Sequence, residues 1–195
     1  LFELNYNQFG TIPNPDLRPE KANGFDIGLE KRVGDHSLSA TFFHTRVTDQ
    51  IDFDFAGSGY FNIDRARSRG VEVSADLALH EQFSARLSYS FTDAIDLGTD
   101  ARLLRQPKHK SVAVLTYRPI EQLNLSTSVT YNSSEADFPV GNDDFIRLDL
   151  RAAYAFTDQL EFYGRVENAT DTNYEDVSGY SEPGVSVFGG IRVRL

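Results

Sequence analysis

The chain has 195 residues, 29 acidic against 19 basic side chains, a formal net charge of −10, and no Cys, Met or Trp. No disulfide or thiolate metal site can form, and an acidic chain lacks the basic footprint that nucleic acid requires. Apolar runs such as Val112-Ala113-Val114-Leu115 fall far short of the roughly 20 residues of a spanning helix, so any membrane crossing must be made by strands.

Taken in chain order, Leu1–Arg18 reads as loop. Nine predicted strands follow, at about 20–32, 36–53, 61–79, 83–96, 105–118, 123–135, 144–156, 160–170 and 184–195. Their side chains alternate with period two. Val71, Val73, Ala75, Leu77 and Leu79 oppose Glu72, Ser74, Asp76 and Ala78, and Phe83, Ala85, Leu87, Tyr89 and Phe91 oppose Ser84, Arg86, Ser88 and Ser90. Leu123–Tyr131, Ile146–Phe156 and Leu160–Val166 behave alike, and near the end Val187, Gly189, Ile191, Val193 and Leu195 alternate with Phe188, Gly190, Arg192 and Arg194.

Alternation of this kind also suits a soluble antiparallel sandwich. Length favours the membrane, since ordinary strands run to about 5 or 6 residues and a tilted membrane strand needs about 9 to 11. Tyr89, Phe91, Tyr117, Tyr131, Tyr154, Phe156 and Phe162 fall near strand ends, where rings form the aromatic girdles of a barrel. Tight turns near Gly34-Asp35, His80-Glu81-Gln82, Pro119-Ile120-Glu121 and Thr157-Asp158-Gln159 alternate with longer Gly- and Asp-rich loops. A transmembrane barrel has this asymmetry, with short periplasmic turns and long external loops. The expectation is an all-β, antiparallel transmembrane barrel.

Charge marks the long-loop edge. Windows 49–60, 92–103, 133–144 and 168–184 hold 14 of the 29 acids and one base, Arg102. Such an edge can attract cations or hold a divalent ion through Asp143-Asp144 and Glu175-Asp176, or simply be solvated. No window has the spacing of a calcium loop, so no metal site and no cofactor are expected. A hydrolytic site among His44, His109, Ser111 and the carboxylates is the enzymatic alternative. The four His residues, 36, 44, 80 and 109, lack a nucleophile elbow or metal spacing, so no catalytic residue is assigned.

Three segments carry a family resemblance. Asn14-Pro15-Asp16-Leu17-Arg18-Pro19-Glu20 resembles the N-P-x-L-x-P-E segment that opens a late barrel strand in TonB-dependent outer-membrane receptors. Asn62 to Glu72 resembles their N-x-x-x-A-x-x-x-G-V-E strand, and Glu167-Asn168-Ala169-Thr170-Asp171-Thr172-Asn173-Tyr174, with Gly179-Tyr180 and Pro183-Gly184, resembles the family's ending. Within that family, Val47–Asp54, Leu103-Leu104-Arg105 and Tyr174–Tyr180 look most like the vitamin B12 receptor group; similar segments occur in siderophore receptors.

The resemblance implies residues 1–195 are the C-terminal portion of a larger barrel of about 22 strands with a plugged lumen, the plug and earlier strands lying outside this sequence. It implies the bacterial outer membrane as location, with a periplasmic C-terminus. It implies a corrinoid or ferric-siderophore ligand facing Arg105 and Tyr180, and as partners the TonB-ExbB-ExbD complex acting through the plug, outer-membrane lipid and the barrel-assembly machinery. Two departures stand out. Leu195 occupies the place of the family's terminal aromatic, and Asn168-Ala169-Thr170 replaces Asn-Leu-Phe.

Overall fold

The computed structural model describes residues 12–54, 57 and 59–194, the side chain of Asp64 excepted. Eleven strands occur among them: β1 Lys21–Val33, β2 His36–Asp54, β3 Gly59–His80, β4 Phe83–Asp96, β5 His109–Ile120, β6 Leu123–Asn132, β7 Phe145–Ala155, β8 Leu160–Glu167, β9 Glu175–Val177, β10 Tyr180–Ser181 and β11 Ser186–Val193. Nine form one sheet in the order β1-β2-β3-β4-β5-β6-β7-β8-β11, and β9 and β10 form a separate hairpin. Every pairing in the large sheet is antiparallel between successive members, so the chain is a meander.

The registers put the alternating residues of all nine strands on common faces. One continuous line of paired residues runs Leu38, Ala75, Leu87, Ala113, Val129 and Leu148. The opposite face carries Ser74 and Ser88, then Glu72 and Ser90, then Arg147, Asp149 and Arg151. A one-residue slip anywhere would move a strand's apolar set to the wrong face. The apolar face is open: Leu29 is 80% and Val187 74% exposed. A single-layer sheet has no core of its own, and the buried apolar residues Ile63, Ala66, Ala94, Phe145 and Tyr174 gather toward the long-loop end.

Rings border the apolar face at both ends. Phe83 stacks on Tyr117 at 4.2 Å and Phe156 meets Phe162 at 6.3 Å near the tight turns. Phe25 meets Phe42 at 6.0 Å, and Phe91 meets His109 at 5.3 Å, toward the long loops.

Three sequence expectations need correction. The strands predicted to end at 53 and begin at 61 run on to Asp54 and from Gly59, so the acidic window 49–60 is largely ladder and not an external loop. The register runs unbroken from Ser37↔Asp76 to Asp54↔Gly59, although Asp49 takes a φ of 57° within it. Leu103-Leu104-Arg105 is not a strand start: β5 begins at His109, since Arg105 has a φ of 56° and Pro107 has no N–H to give a ladder. The hairpin β9–β10 was not anticipated, its strands being three and two residues long, too short for periodicity to show. Leu195 lies outside the described residues.

Candidate functional site

The residues that opened the family resemblance have identifiable structural work. Asn14 donates its side-chain amide to the Tyr60 carbonyl at 2.9 Å, and Glu20 accepts the Ile51 amide at 2.7 Å. Asn62 accepts the Arg18 amide at 2.8 Å and donates to the carbonyls of Arg18 and Asp49 at 3.0 and 2.7 Å. The 14–20 segment is thereby fastened to the ends of β2 and β3. Ala66 is 1% exposed, and Gly70 lies where a Cβ would stand 1.9 Å from the Phe91 carbonyl oxygen.

Asn168 holds the last long loop. Its residue is 2% exposed; its backbone N–H donates to Asp149 at 3.0 Å, its side-chain amide to the carbonyls of Thr172 and Pro183, and its side-chain oxygen accepts the Thr172 amide. Its φ of 51° is a conformation Asn tolerates better than most residues. Tyr174 completes the anchor, with its ring 4.3 Å from Phe145 and its hydroxyl accepting a hydrogen bond from Arg147 at 2.9 Å.

Of the two residues implied as ligand contacts, Arg105 sits in a turn before β5 and Tyr180 opens β10, 74% exposed. Asp137 joins their loops. One of its oxygens accepts from Arg105 Nε at 3.1 Å and from the Phe138 amide at 2.8 Å; the other accepts the Ser178 amide at 2.8 Å. The Asp137 side chain is fully enclosed while Arg105 keeps 42% of its surface. Three long loops, at 97–108, 133–144 and 168–185, therefore meet on one carboxylate. Asp137 was invisible in the sequence because its partners come from distant loops.

Burial alone would push the Asp137 carboxyl up, but the Ser178 and Phe138 amides and the Arg105 guanidinium outweigh it and hold the group below the usual value of 3.8. Glu135 behaves oppositely: burial pushes it above 4.5, the Asn142 amide opposes the rise, and the charges of Asp137 and Asp176 add to it. A depressed folded pKa contributes stability present above the unfolded value and lost as pH falls through the folded one. Loop docking through Asp137 should therefore hold at neutral pH and fail only below about pH 4, whereas the Glu135 contribution is fullest at low pH and fades as pH rises through its elevated pKa. Asp137→Asn is expected to cost roughly 1–3 kcal/mol of local stability. Hydrogen exchange at the Ser178 amide should rise on this change, and unaltered protection there would show that Asp137 does not hold the loops.

Of the acidic residues considered as ion ligands, Glu175 is occupied otherwise. Glu175 accepts the Gly179 amide at 2.7 Å and the Ser181 hydroxyl at 3.3 Å, closing the β9–β10 turn. No group of three or more metal-ligating side chains occurs among the described residues. The histidines serve locally: His36 accepts the Ala78 amide, His80 accepts the Gln82 amide, His44 stacks on Phe25, and His109 shares a hydrogen bond with Tyr89. The polar face is lined by paired charges, Arg86 with Asp76 at 2.6 Å, Arg147 with Asp149 at 3.1 Å and Arg165 with Glu167 at 2.9 Å. Arg165 also covers the Phe188 ring at 4.4 Å.

A long-stranded meander, apolar on one face, charged on the other and girdled by rings, defines the wall of an outer-membrane barrel. The chain belongs to the family described as TonB dependent receptor-like, beta-barrel, whose pattern it matches over residues 1–169. The family implies an outer-membrane location and a transport receptor. The copper transporter OprC is similar at a TM-score of 0.80 and 20% identity, over 94% of this chain and 33% of its own. The ferric enterobactin receptor of Pseudomonas aeruginosa is similar at 0.78 and 15%, over 92% and 32%. The ferric-catecholate import receptor Fiu of E. coli K12 is similar at 0.77 and 20%, over 98% and 30%. The chain thus spans about a third of the length of these structures.

Proposed function

We propose that this chain supplies wall, lumen lining and part of the outer vestibule of a receptor that carries a scarce metal-bearing nutrient across the outer membrane. The match over residues 1–169 carries this reading, together with nine strands whose faces divide cleanly between lipid and lumen. In the complete receptor, residues 1–195 are the C-terminal part of the barrel, and a plug domain from elsewhere in the protein couples to the TonB-ExbB-ExbD complex. The role is transport, not catalysis.

Two cargo classes are supported by different observations. A ferric siderophore is supported by the names of similar structures, ferric-catecholate and ferric enterobactin receptors among them. A corrinoid is supported only by the short segments Val47–Asp54, Leu103–Arg105 and Tyr174–Tyr180, so the siderophore class comes first. The acidic rim repels a multiply anionic cargo and favours a neutral or cationic metal complex. Arg105 and Tyr180, on loops gathered by Asp137, are the proposed contacts.

The test is uptake by a receptor-deficient strain carrying the complete receptor, with radiolabelled corrinoid and a panel of ferric siderophores of different charge. TonB-dependent uptake of one of them is expected, and Arg105→Ala should reduce it. Energy-independent leakage of every small solute would mark a passive pore instead. The proposal puts the long loops outside and the C-terminus in the periplasm, and the same cells can check this by labelling with an impermeant maleimide. Gly141 is a poor cysteine site, because a Cβ there would lie 2.7 Å from the Glu135 carbonyl oxygen. Val140, 68% exposed, is suitable. Val140→Cys should label on intact cells and Asp158→Cys only after lysis; the reverse would invert the barrel.

A further inference from the structure

The apolar face of β3 ends abruptly. From Leu79 to Val71 its lipid-side residues are apolar over nine positions, about the length of a tilted membrane strand. The next three residues on that face are Arg69, Arg67 and Arg65. Their register partners extend the charge sideways: Arg46 lies opposite Arg67, Thr48 opposite Arg65, and Lys21 opposite Thr48. Lys108 places its Nζ 5.7 Å from the centre of the Phe91 ring. Six cations thus lie at or just beyond the rings of Phe25, Phe42 and Phe91, Arg69 level with Phe25 and the others further out.

Little on the protein neutralises them. Arg67 and Arg69 both reach the same oxygen of Asp93, each at 3.0 Å, so two guanidinium groups share one carboxylate. The Nε of Arg67 is buried without a hydrogen-bond acceptor among the described residues. Among those residues Arg46, Arg65, Lys21 and Lys108 have no acid within ion-pair distance. The concentration is unusual in a chain of net charge −10. It lies on the same face as the apolar run and is confined to β1–β3 and the residue before β5.

We infer that this band is a docking surface for the phosphate-bearing headgroups of membrane lipid in the leaflet at the long-loop side. Charge complementarity and depth both point there. Cations set one step beyond a hydrocarbon-length apolar run sit at headgroup level, where long side chains extend from apolar surface toward the polar layer, and guanidinium offers paired donors matched to phosphate oxygens. The inference rests on the barrel and its membrane, and is independent of the cargo and of which side the long loops face.

The complete receptor in detergent, examined by native mass spectrometry, should retain phosphatidylglycerol or a phosphorylated glucosamine lipid in preference to phosphatidylcholine of the same chains. Arg46→Gln combined with Arg65→Gln should weaken that retention by about tenfold or more, given the attraction of each cation near an anionic lipid surface. Arg46→Lys with Arg65→Lys should restore most of it. Arg151→Gln, on the lumen face, controls for charge loss alone and should change nothing. Equal retention of phosphatidylcholine, or undiminished retention by a folded double Gln variant, would overturn the inference. Displacement of the lipid by millimolar inorganic phosphate would also overturn it, making the band a site for free anions.

Discussion

Leu87→Arg is expected to lower the stability of the barrel by about 2–4 kcal/mol, while Ser88→Arg, one residue further along β4, leaves it close to unchanged. Leu87 lies between Ala75 and Ala113 on the apolar face, midway between Phe83 and Phe91, so arginine there must stand in hydrocarbon near the midplane. Its nearest escape is past four residues to either girdle, and the small alanines on both sides offer no polar partner. Ser88 lies between Ser74 and Val112 on the other face, with Glu72 and Lys110 one step away, in water. Urea unfolding of the complete receptor in lipid vesicles, with heat-modifiable migration as the readout of closure, separates the two. Equal loss from both substitutions would count against a membrane barrel with these faces.

Gly70→Ala should be nearly as damaging, for a steric reason. A Cβ at Gly70 would lie 1.9 Å from the Phe91 carbonyl oxygen and 2.7–2.8 Å from the edge of the Phe43 ring. The ring can turn. The carbonyl cannot, because Phe91 is held in the ladder between Val71 and His109, so relief requires β3 and β4 to separate locally. Overpacking of this kind costs typically about 1–3 kcal/mol, and a clash with backbone belongs at the upper end. Gly164→Ala is the control, since its nearest neighbour would be 3.6 Å away. Phe43→Leu should fail to rescue Gly70→Ala if the carbonyl is the obstacle. Full rescue would place the obstacle in the ring, and wild-type stability of Gly70→Ala would show that the two strands sit further apart.

Expectations drawn from β3 and β4 held nearly residue for residue, because a strand's period of two is written locally. Each strand needs only its own alternation to specify which face meets lipid, and turns such as Gly34-Asp35 fix the pairing by their shortness. Expectations at the long-loop edge fared less well for the same reason. Alternation stops there, and what replaces it is contact between segments far apart in sequence. Arg105 reads as the start of a strand until its φ and its bond to Asp137 are known. The charge of the 49–60 window reads as an external loop until the partnership of Asp54 with Gly59 shows the two strands paired through most of it.

The motif residues mark the boundary between these regimes. Asn14, Asn62, Gly70 and Asn168 could be recognised as a family pattern without any account of why those residue types stand there. The reason is tertiary: Asn62 satisfies backbone groups of two other segments, Asn168 satisfies those of its own loop while its own amide is held by the Asp149 carboxylate, and Gly70 leaves room for a carbonyl from the next strand. By itself, then, the sequence determined the strands, their faces and their order, since these follow from side-chain alternation and turn length within each hairpin. Only the tertiary structure decided that three loops converge on Asp137 and that Arg46, Arg65, Arg67 and Arg69 form one band, because register across neighbouring strands brings together residues that local pattern cannot relate.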